Sequence, residues 1–144
     1  DQVRAVAGSW RRVFAAARWP DFLPMVHALE DHAGALMVLE TDRGRVVGYA
    51  FALAAGSAEE RGAKVLDFLV HPSYHSESPT LVKATAARAL AGGARSVWCW
   101  LAECDEIKAA AVRAAGFTEQ HRFRGYLTVG GRDVDMLAFA LDDR

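Results

Sequence analysis

Residues 63–93 read AKVLDFLVHPSYHSESPTLVKATAARALAGG, and the fold depends most on this stretch. An apolar run at residues 64–70 is followed by a short polar loop and then by apolar residues at helical spacing. This order places backbone N–H groups at a helix N-terminus, where the helix dipole helps them to hold a phosphate. The stretch therefore predicts an α/β domain with an anion site at the loop.

The composition limits the classes of partner. The 144 residues carry 17 basic and 18 acidic side chains, and 52% of the residues are hydrophobic. This length and this hydrophobic fraction predict one globular domain. A net charge of -1 and a pI near 6.6 argue against a nucleic-acid partner. Charge or glycine interrupts every apolar run within about ten residues, so no membrane span or membrane partner is expected.

The cysteines and the first residue bear on compartment and processing. Cys99 and Cys104 are too few for a disulfide framework, and Cys99 lies in an apolar run. Both are expected to be reduced thiols, which is typical of the cytoplasm. Asp1 is not an initiator methionine and nothing resembling a signal peptide follows it, so the chain is expected to begin inside a longer sequence or to have been trimmed.

Hydrophobic spacing predicts the order of the elements. The predicted elements are helices at 3–17 and 21–29, strands at 35–40, 45–53 and 64–70, a helix capped by Ser78-Pro79 and ended by Gly92-Gly93, a strand at 96–102, a helix from Asp105 to Gly116, and a hairpin of 117–128 and 133–141. The strands at 64–70 and 96–102 are nearly all apolar, so cover on both faces is expected. Five residues are expected on the inner face of the last helix: Ile107, Ala110, Ala111, Ala114 and Ala115. The order predicts a three-layer α/β domain whose central mixed sheet is flanked by helices.

Three stretches give this order of elements a likeness to a known family. They are GRVVGYAFA at 44–52, LDFLVHPSY at 66–74 and AAGFTEQHRFRGY at 114–126. Together they resemble the GNAT superfamily of N-acetyltransferases, whose fold is also classed as α+β. The resemblance implies a single GNAT-like domain over residues 1–144, with the family's first strand upstream of Asp1. The chain would then be the C-terminal part of a longer or tandem protein.

The resemblance also implies a site for acetyl-CoA, between the strands that end near Val70 and Glu103. Backbone groups of Leu69 and Val70 would hold the pantetheine arm. The pyrophosphate would lie on the loop at 75–80, and the candidates there are His75, Ser76, Ser78 and Thr80.

This loop departs from the family pattern Arg/Gln-x-x-Gly-x-Gly/Ala. His75 stands at the position of arginine or glutamine, and Ser78 and Thr80 stand at those of the glycines. A Cβ at such a position crowds the phosphate, and Glu77 adds a negative charge nearby. The hydroxyls and the helix N-terminus still offer donors. The loop therefore predicts weakened pyrophosphate binding.

The same resemblance implies two catalytic candidates. The family tyrosine that protonates the leaving thiolate falls at Val112, so Cys104 or water would have to act as the acid. Asp67 is a carboxylate in an otherwise apolar strand, where it needs either a partner or a function. It is expected either to act as the base toward the amine or to pair with an arginine at the edge of the sheet.

The remaining expectations concern metal, rings and partners. His71 and His75 have a spacing that suits a metal only on a helix, and this segment contains a proline, so no metal site is predicted. Trp98 and Trp100 share one face of their strand and are expected in the core or against the cleft. The acceptor is expected to be a small-molecule or protein amine, and its acidic surroundings favour a cation. A homodimer and an upstream domain are both left open, and the alternative function is a catalytically degenerate GNAT-like domain with a structural or regulatory role.

Overall fold

The computed structural model describes residues 35–54 and 62–142. The helices expected at residues 3–17 and 21–29 lie outside this part of the chain. Its elements are β1 (Ala35–Glu40), β2 (Val46–Ala54), β3 (Ala63–Val70), a 3₁₀ segment (Pro72–Glu77), α1 (Ser78–Ala91), β4 (Ser96–Ala102), α2 (Glu106–Ala114), β5 (Thr118–Val129) and β6 (Arg132–Asp142). Every strand and helix predicted for the described residues is therefore confirmed.

The strands form one mixed sheet in the order β1-β2-β3-β4-β6-β5. Only β3 and β4 are parallel, since α1 connects them, and the other neighbours are antiparallel. The hairpin of β5 and β6 turns at Gly130 and Gly131, whose φ angles of 58° and 77° suit a two-residue turn. The predicted mixed sheet is confirmed.

Both helices lie on one face of the sheet, and the core lies between. Buried residues of β3 and β4 alternate on this face and pack with apolar residues of α1 and α2: Leu66, Phe68, Val97, Cys99, Leu101, Leu81, Val82, Ala109 and Val112. Over the described residues the domain thus has two layers, the sheet and the helices on one of its faces.

The opposite face of β3 and β4 is less covered than expected. Asp67 and Trp100 are exposed, and Trp98 is only half-buried. The expectation that both strands are covered on both faces is therefore wrong for this part of the sheet. A tryptophan ring contributes as much apolar character to a sequence pattern at the surface as in the core, so the pattern does not distinguish the two.

The helix starts differ in how their backbone N–H groups are satisfied. Asp105 caps α2 as predicted, since its Oδ1 accepts a hydrogen bond from the N–H of Lys108 at 3.2 Å. For α1 the predicted cap is wrong: Ser78 is the first helical residue, and Glu77 at the cap position makes no side-chain cap hydrogen bond. The preceding 3₁₀ segment replaces the cap, because the N–H of Ser78 donates to the carbonyl of His75.

Candidate functional site

The parallel strands β3 and β4 pair only at their beginnings. The paired residues run from Ala63 with Ser96 to Val65 with Trp98, although β3 continues to Val70. Beyond that point β3 stays with β2, and β4 stays with β6 as far as Ala102. The two strands therefore diverge, and a gap opens between their C-terminal halves. We call this gap the opening.

An ion pair lies across the opening. The Oδ1 of Asp67 on β3 accepts hydrogen bonds from the Nζ of Lys108 at 3.2 Å and from the N–H of Phe68 at 2.8 Å. The Lys108 Nζ also lies 4.9 Å from the centre of the Phe68 ring. The partner expected for Asp67 was an arginine at the sheet edge, and the structure shows a lysine from α2 instead. Sequence reasoning missed Lys108, although its position three residues after the cap Asp105 directs it back toward the sheet.

The two charges differ in their access to solvent. The side chain of Asp67 is 60% exposed, whereas that of Lys108 is 27% exposed. The second oxygen of Asp67, Oδ2, receives no hydrogen bond from the described residues. The carboxylate is thus held by one oxygen and presents the other to solvent.

Cys99 lies beside this pair in the core, and Cys104 lies apart from it. Cys99 is 1% exposed, and burial, with a smaller contribution from the Asp67 carboxylate, raises the pKa of its thiol to about 12 although Lys108 opposes the shift. The thiol therefore stays protonated at neutral pH and is a poor nucleophile. Cys104 is exposed in the turn that follows β4, and both cysteines are free thiols.

An apolar groove of about 390 Å³ runs between the start of α1 and α2. One wall consists of His75, Ser76 and Pro79, and the other consists of Glu106, Ile107, Ala110, Ala111 and Ala114. Ile107 is 61% exposed, so its expected place in the core is wrong, as are those of Ala110 and Ala114. The helix instead buries Ala109 and Val112, because an alanine-rich helix is apolar on several faces and its spacing does not select one.

Three exposed or half-buried rings form a cluster on the outer face of the sheet, beside the opening. The ring of Phe123 lies 5.5 Å from Trp100 and 5.7 Å from Tyr126, measured between centroids. Trp100 is 49% exposed and Tyr126 is 63% exposed. We call Trp100, Phe123 and Tyr126 the ring cluster. Of the two places expected for Trp100, the core is therefore wrong.

Arg122 fastens the strand that carries two of these rings. Its guanidinium donates to Glu103 at 2.7 Å and to Asp135 at 3.0 Å, and these bonds raise the pKa of Arg122. Asp135 also accepts from the N–H of Gly125 at 2.9 Å, and this bond together with Arg122 lowers the pKa of its carboxyl. These hydrogen bonds join the end of β4 and the middle of β5 to Asp135 of β6.

Comparison with known proteins identifies the fold. No family model matches the sequence, and no curated protein matches it. A phosphinothricin acetyltransferase of the GNAT superfamily from Sinorhizobium meliloti, solved in complex with acetyl-CoA, is similar in structure, with a TM-score of 0.81, 18% identity, and coverage of 98% of this chain and 83% of that one. The chain has the GNAT fold.

Two other similar structures support the same conclusion. An N-acetyltransferase from Staphylococcus aureus Mu50 has a TM-score of 0.80 and 13% identity, over 98% of this chain and 92% of its own. A ribosomal-protein-alanine N-acetyltransferase from Brucella melitensis has a TM-score of 0.77 and 18% identity, over 93% of this chain and 83% of its own. At such identities the likeness establishes the fold alone.

The six candidates for acetyl-CoA binding fall in different places on this GNAT fold. His75 and Ser76 line the groove, whereas Ser78 is buried and Thr80 is exposed outside the groove wall. Leu69 and Val70 pair with β2 and line a hollow of about 150 Å³ on that side. The structure therefore brings two of the six to the groove and places two others along the strand that borders the opening.

Two further residues lie at positions where the sequence departs from the GNAT pattern, Glu77 in the loop and Val112 in α2. Glu77 lines a separate hollow beside the turn between β1 and β2, together with Arg43 and Arg45, so it does not line the groove. Val112, at the position of the usual tyrosine, is 0% exposed. It faces the core, and no polar side chain could replace it there without a partner.

The two histidines of the loop form hydrogen bonds with neighbouring residues of the chain. His71 accepts from the N–H of Ser73 at 3.1 Å, and the Nδ1 of His75 lies 2.9 Å from the carbonyl of Pro72. In residues 35–54 and 62–142 no group of three acidic, histidine or cysteine side chains is arranged to hold a metal. Neither described helix is long and apolar enough to cross a membrane.

Proposed function

We propose that this protein is a cytoplasmic N-acetyltransferase that transfers acetyl from acetyl-CoA to a small-molecule or protein amine. The observation that carries the proposal is the opening between β3 and β4 together with helix α2, which lines an apolar groove and also supplies Lys108 to Asp67. Similar structures support it, since one was solved with acetyl-CoA and another is named for a protein amine acceptor.

The groove fits the pantetheine part of acetyl-CoA better than the pyrophosphate part. Its walls are mostly apolar, which suits an uncharged arm, and Leu69 and Val70 border the opening where the arm would end. At the loop, the Ser78 N–H already bonds to His75, so one donor of the helix start is occupied. Ser76, His75 and the hydroxyl of Thr80 would hold the phosphates. We therefore expect acetyl-CoA to bind more weakly than to a glycine loop.

Asp67 and Lys108 can move the one proton that the reaction transfers. Bound acetyl-CoA supplies an acetyl thioester, and the acceptor supplies a neutral amine. Asp67 takes a proton from the amine nitrogen as the N–C bond forms, and Lys108 gives a proton to the thiolate sulfur as the C–S bond breaks. A lysine ammonium and a tyrosine phenol are acids of similar strength in water, each with a pKa of about 10.

The 3.2 Å contact between Asp67 and Lys108 then restores both groups. The protonated carboxyl returns its proton to the neutral amine of Lys108, so the net change is one proton moved from nitrogen to sulfur. Cys104 is the second candidate for the acid, and its exposed place after β4 makes it the weaker one. Its role is tested by the variant Cys104→Ser.

Calorimetric titration with acetyl-CoA tests the first step. We expect saturable binding to the wild type and none to Ala110→Trp, because a large ring on this exposed groove residue would fill the groove. The matched control is Ala87→Trp, the same change at an exposed residue of α1 outside the groove wall. No detectable binding to the wild type at millimolar ligand would overturn the proposal and favour a non-catalytic role.

A further inference from the structure

We propose that the acceptor is a primary amine carried on a flat aromatic body, and that it binds with its ring on the ring cluster and its nitrogen at Asp67. The inference rests on the proposed function, because it names the acceptor class of the same site. It is carried by three features of the outer face: the exposure of the rings, the way in which β5 presents them, and the position of a half-free carboxylate.

The ring cluster is partly open to solvent, mainly at Trp100 and Tyr126, while Phe123 is half-buried and also meets the edge of the His121 ring at 4.4 Å. The Phe123 and Tyr126 planes are inclined by 52°, those of Trp100 and Phe123 by 32°, and the centroid separations are typical of favourable ring pairs. Half of the Trp100 side chain and nearly two thirds of the Tyr126 side chain are exposed. Rings in this arrangement offer apolar surface to another flat ring with little loss of conformational entropy.

The backbone of β5 is shaped to present these rings. Its register with β6 shifts between Phe123 and Leu127, and Gly125 within the shift has a φ of 60°, which a residue with a side chain rarely adopts. The Gly125 N–H is held by the Asp135 carboxylate at 2.9 Å. A bulge of this kind turns a side chain out of the regular alternation, and Tyr126 follows the glycine directly.

The small residue Ala138 lets the rings meet across β6. It pairs with Trp100 on one side and with His121 on the other, so all three residues share the outer face. A larger residue there would separate Trp100 from β5. The Phe123 ring reaches Trp100 above this alanine, and the ring cluster is continuous across three strands.

Asp67 lies on the same face at the other side of the opening. Val65 pairs with Trp98, and two residues further along each strand are Asp67 and Trp100, which therefore face the same way. The Oδ2 of Asp67, to which no residue of 35–54 or 62–142 donates, can accept a hydrogen bond from an ammonium or an amine. A ligand that carries both an aromatic ring and a primary amine would satisfy both parts of this surface, because the ring needs apolar contact and the nitrogen needs a carboxylate.

Acetyl transfer to phenethylamine and to butylamine, followed by release of the CoA thiol, tests the inference. We expect kcat/KM for phenethylamine to exceed that for butylamine, and Trp100→Ala and Phe123→Leu each to reduce it by about tenfold while butylamine is little affected. Val129→Ala, which changes an exposed apolar residue at the far end of β5, should leave both rates unchanged. Quenching of tryptophan fluorescence by phenethylamine, without acetyl-CoA, gives a second measurement that does not depend on turnover.

The outcomes separate the inference from the proposed function. If acetyl-CoA binds but the two amines react equally well and phenethylamine does not quench the wild type more than Trp100→Ala, the acceptor class is wrong while the acetyltransferase proposal stands. If acetyl-CoA does not bind, the proposed function fails first. If sedimentation instead shows that the wild type is a dimer and Trp100→Ala is a monomer, the ring cluster is a contact between copies and the inference is overturned.

Discussion

The two ends of the β3 and β4 pair differ in what their side chains do. At the closed end, Ala63 to Val65 pair with β4, and the residues on the helix face are buried. At the open end, the same two strands carry Asp67 and Trp100, a charge and a ring that remain exposed. One pair of strands is thus buried at one end and carries an exposed charge and ring at the other, and the transition takes only two residues along each strand.

The difference shows why a carboxylate is tolerated in an apolar strand. A charge inside a fully paired and covered sheet would cost several kcal/mol. Where β4 turns away, water and Lys108 both reach Asp67, so the cost is small. The same departure of β4 leaves the C-terminal half of β3 without a parallel neighbour. An acidic residue in an apolar run is therefore a marker of the place where pairing ends.

The largest predicted effect contrasts Leu66 with Leu69 on β3. Leu66 is 1% exposed beneath the helices, whereas Leu69 lies on the opposite face and is half-buried. Leu66→Ala should lower the free energy of unfolding by about 2–5 kcal/mol through lost burial and a residual cavity, and Leu69→Ala should cost clearly less. Urea denaturation measures both. Equal losses would mean that the two faces are equally covered and that the comparison is wrong.

The second prediction concerns chemistry at the open end. Lys108→Met should reduce turnover of acetyl-CoA with an amine by about a hundredfold or more, because the proton donor is lost. The free energy of unfolding should change by no more than about 1 kcal/mol, since the Asp67 carboxylate is 60% exposed and water can solvate it when Lys108 is absent. Lys83→Met, at an exposed position of α1, is the matched control.

A different outcome of this experiment would reassign the acid. If Lys108→Met keeps full turnover and Cys104→Ser loses it, the thiol protonates the leaving group. If neither variant changes turnover, water is the donor and Lys108 only neutralises Asp67.

The third prediction concerns the burial of the Cys99 thiol, which lies in the core beside the opening. Cys99 has a folded-state pKa of about 12 against an ordinary value of 9.0. Below pH 9 the thiol is neutral in both states, and above it only the unfolded chain ionises, so stability falls as pH rises toward 12. Relative to Cys99→Ala, the wild type should lose about 1.4 kcal/mol per pH unit in this window. Urea denaturation at pH 8, 9.5 and 10.5 checks this.

Alkylation of the two thiols measures the solvent access of Cys99 independently of its pKa. Iodoacetamide at pH 8 should modify exposed Cys104 and spare buried Cys99, as mass spectrometry of peptides would show. Comparable modification of Cys99 in the folded protein would show that the opening admits solvent to the core, and the predicted pH dependence would then be absent.

The smallest predicted effect concerns the loop before α1. Glu77 lines the hollow with Arg43 and Arg45 and not the groove, so Glu77→Gln should change the affinity for acetyl-CoA by less than about twofold. Ser76→Glu, which places a carboxylate on the groove wall, should weaken binding severalfold. Calorimetry measures both. A tenfold gain in Glu77→Gln would show that Glu77 repels the pyrophosphate after all.

Most of the described fold followed from the sequence because apolar runs and glycines mark its elements directly. The runs at β3 and β4 and the turn at Gly130 and Gly131 are local signals, and local rules interpret them well. The start of α1 was misassigned because a serine before a proline is a common cap, and the 3₁₀ segment that replaces it has no distinct composition.

The candidate site was only partly predictable, since its contacts join distant parts of the chain. Asp67 was found because a carboxylate is conspicuous in an apolar strand. Lys108 was not, because its contact with Asp67 spans 41 residues and depends on the divergence of two strands. Ala111 and Ala115 were correctly assigned to the core. Ile107, Ala110 and Ala114 were not, since hydrophobicity alone does not distinguish a core face from the wall of a groove.

The bonds of Arg122 have a consequence for ligand entry. The end of β4 is fixed to β6 and not to β3, because it pairs with β6 as far as Ala102 and Arg122 joins the following Glu103 to Asp135 of β6. A ligand that enters the gap does not have to break hydrogen bonds between β3 and β4, because the two strands are not paired there in the folded protein. If acetyl-CoA binds at this gap as proposed, none of its binding free energy is consumed in separating the two strands.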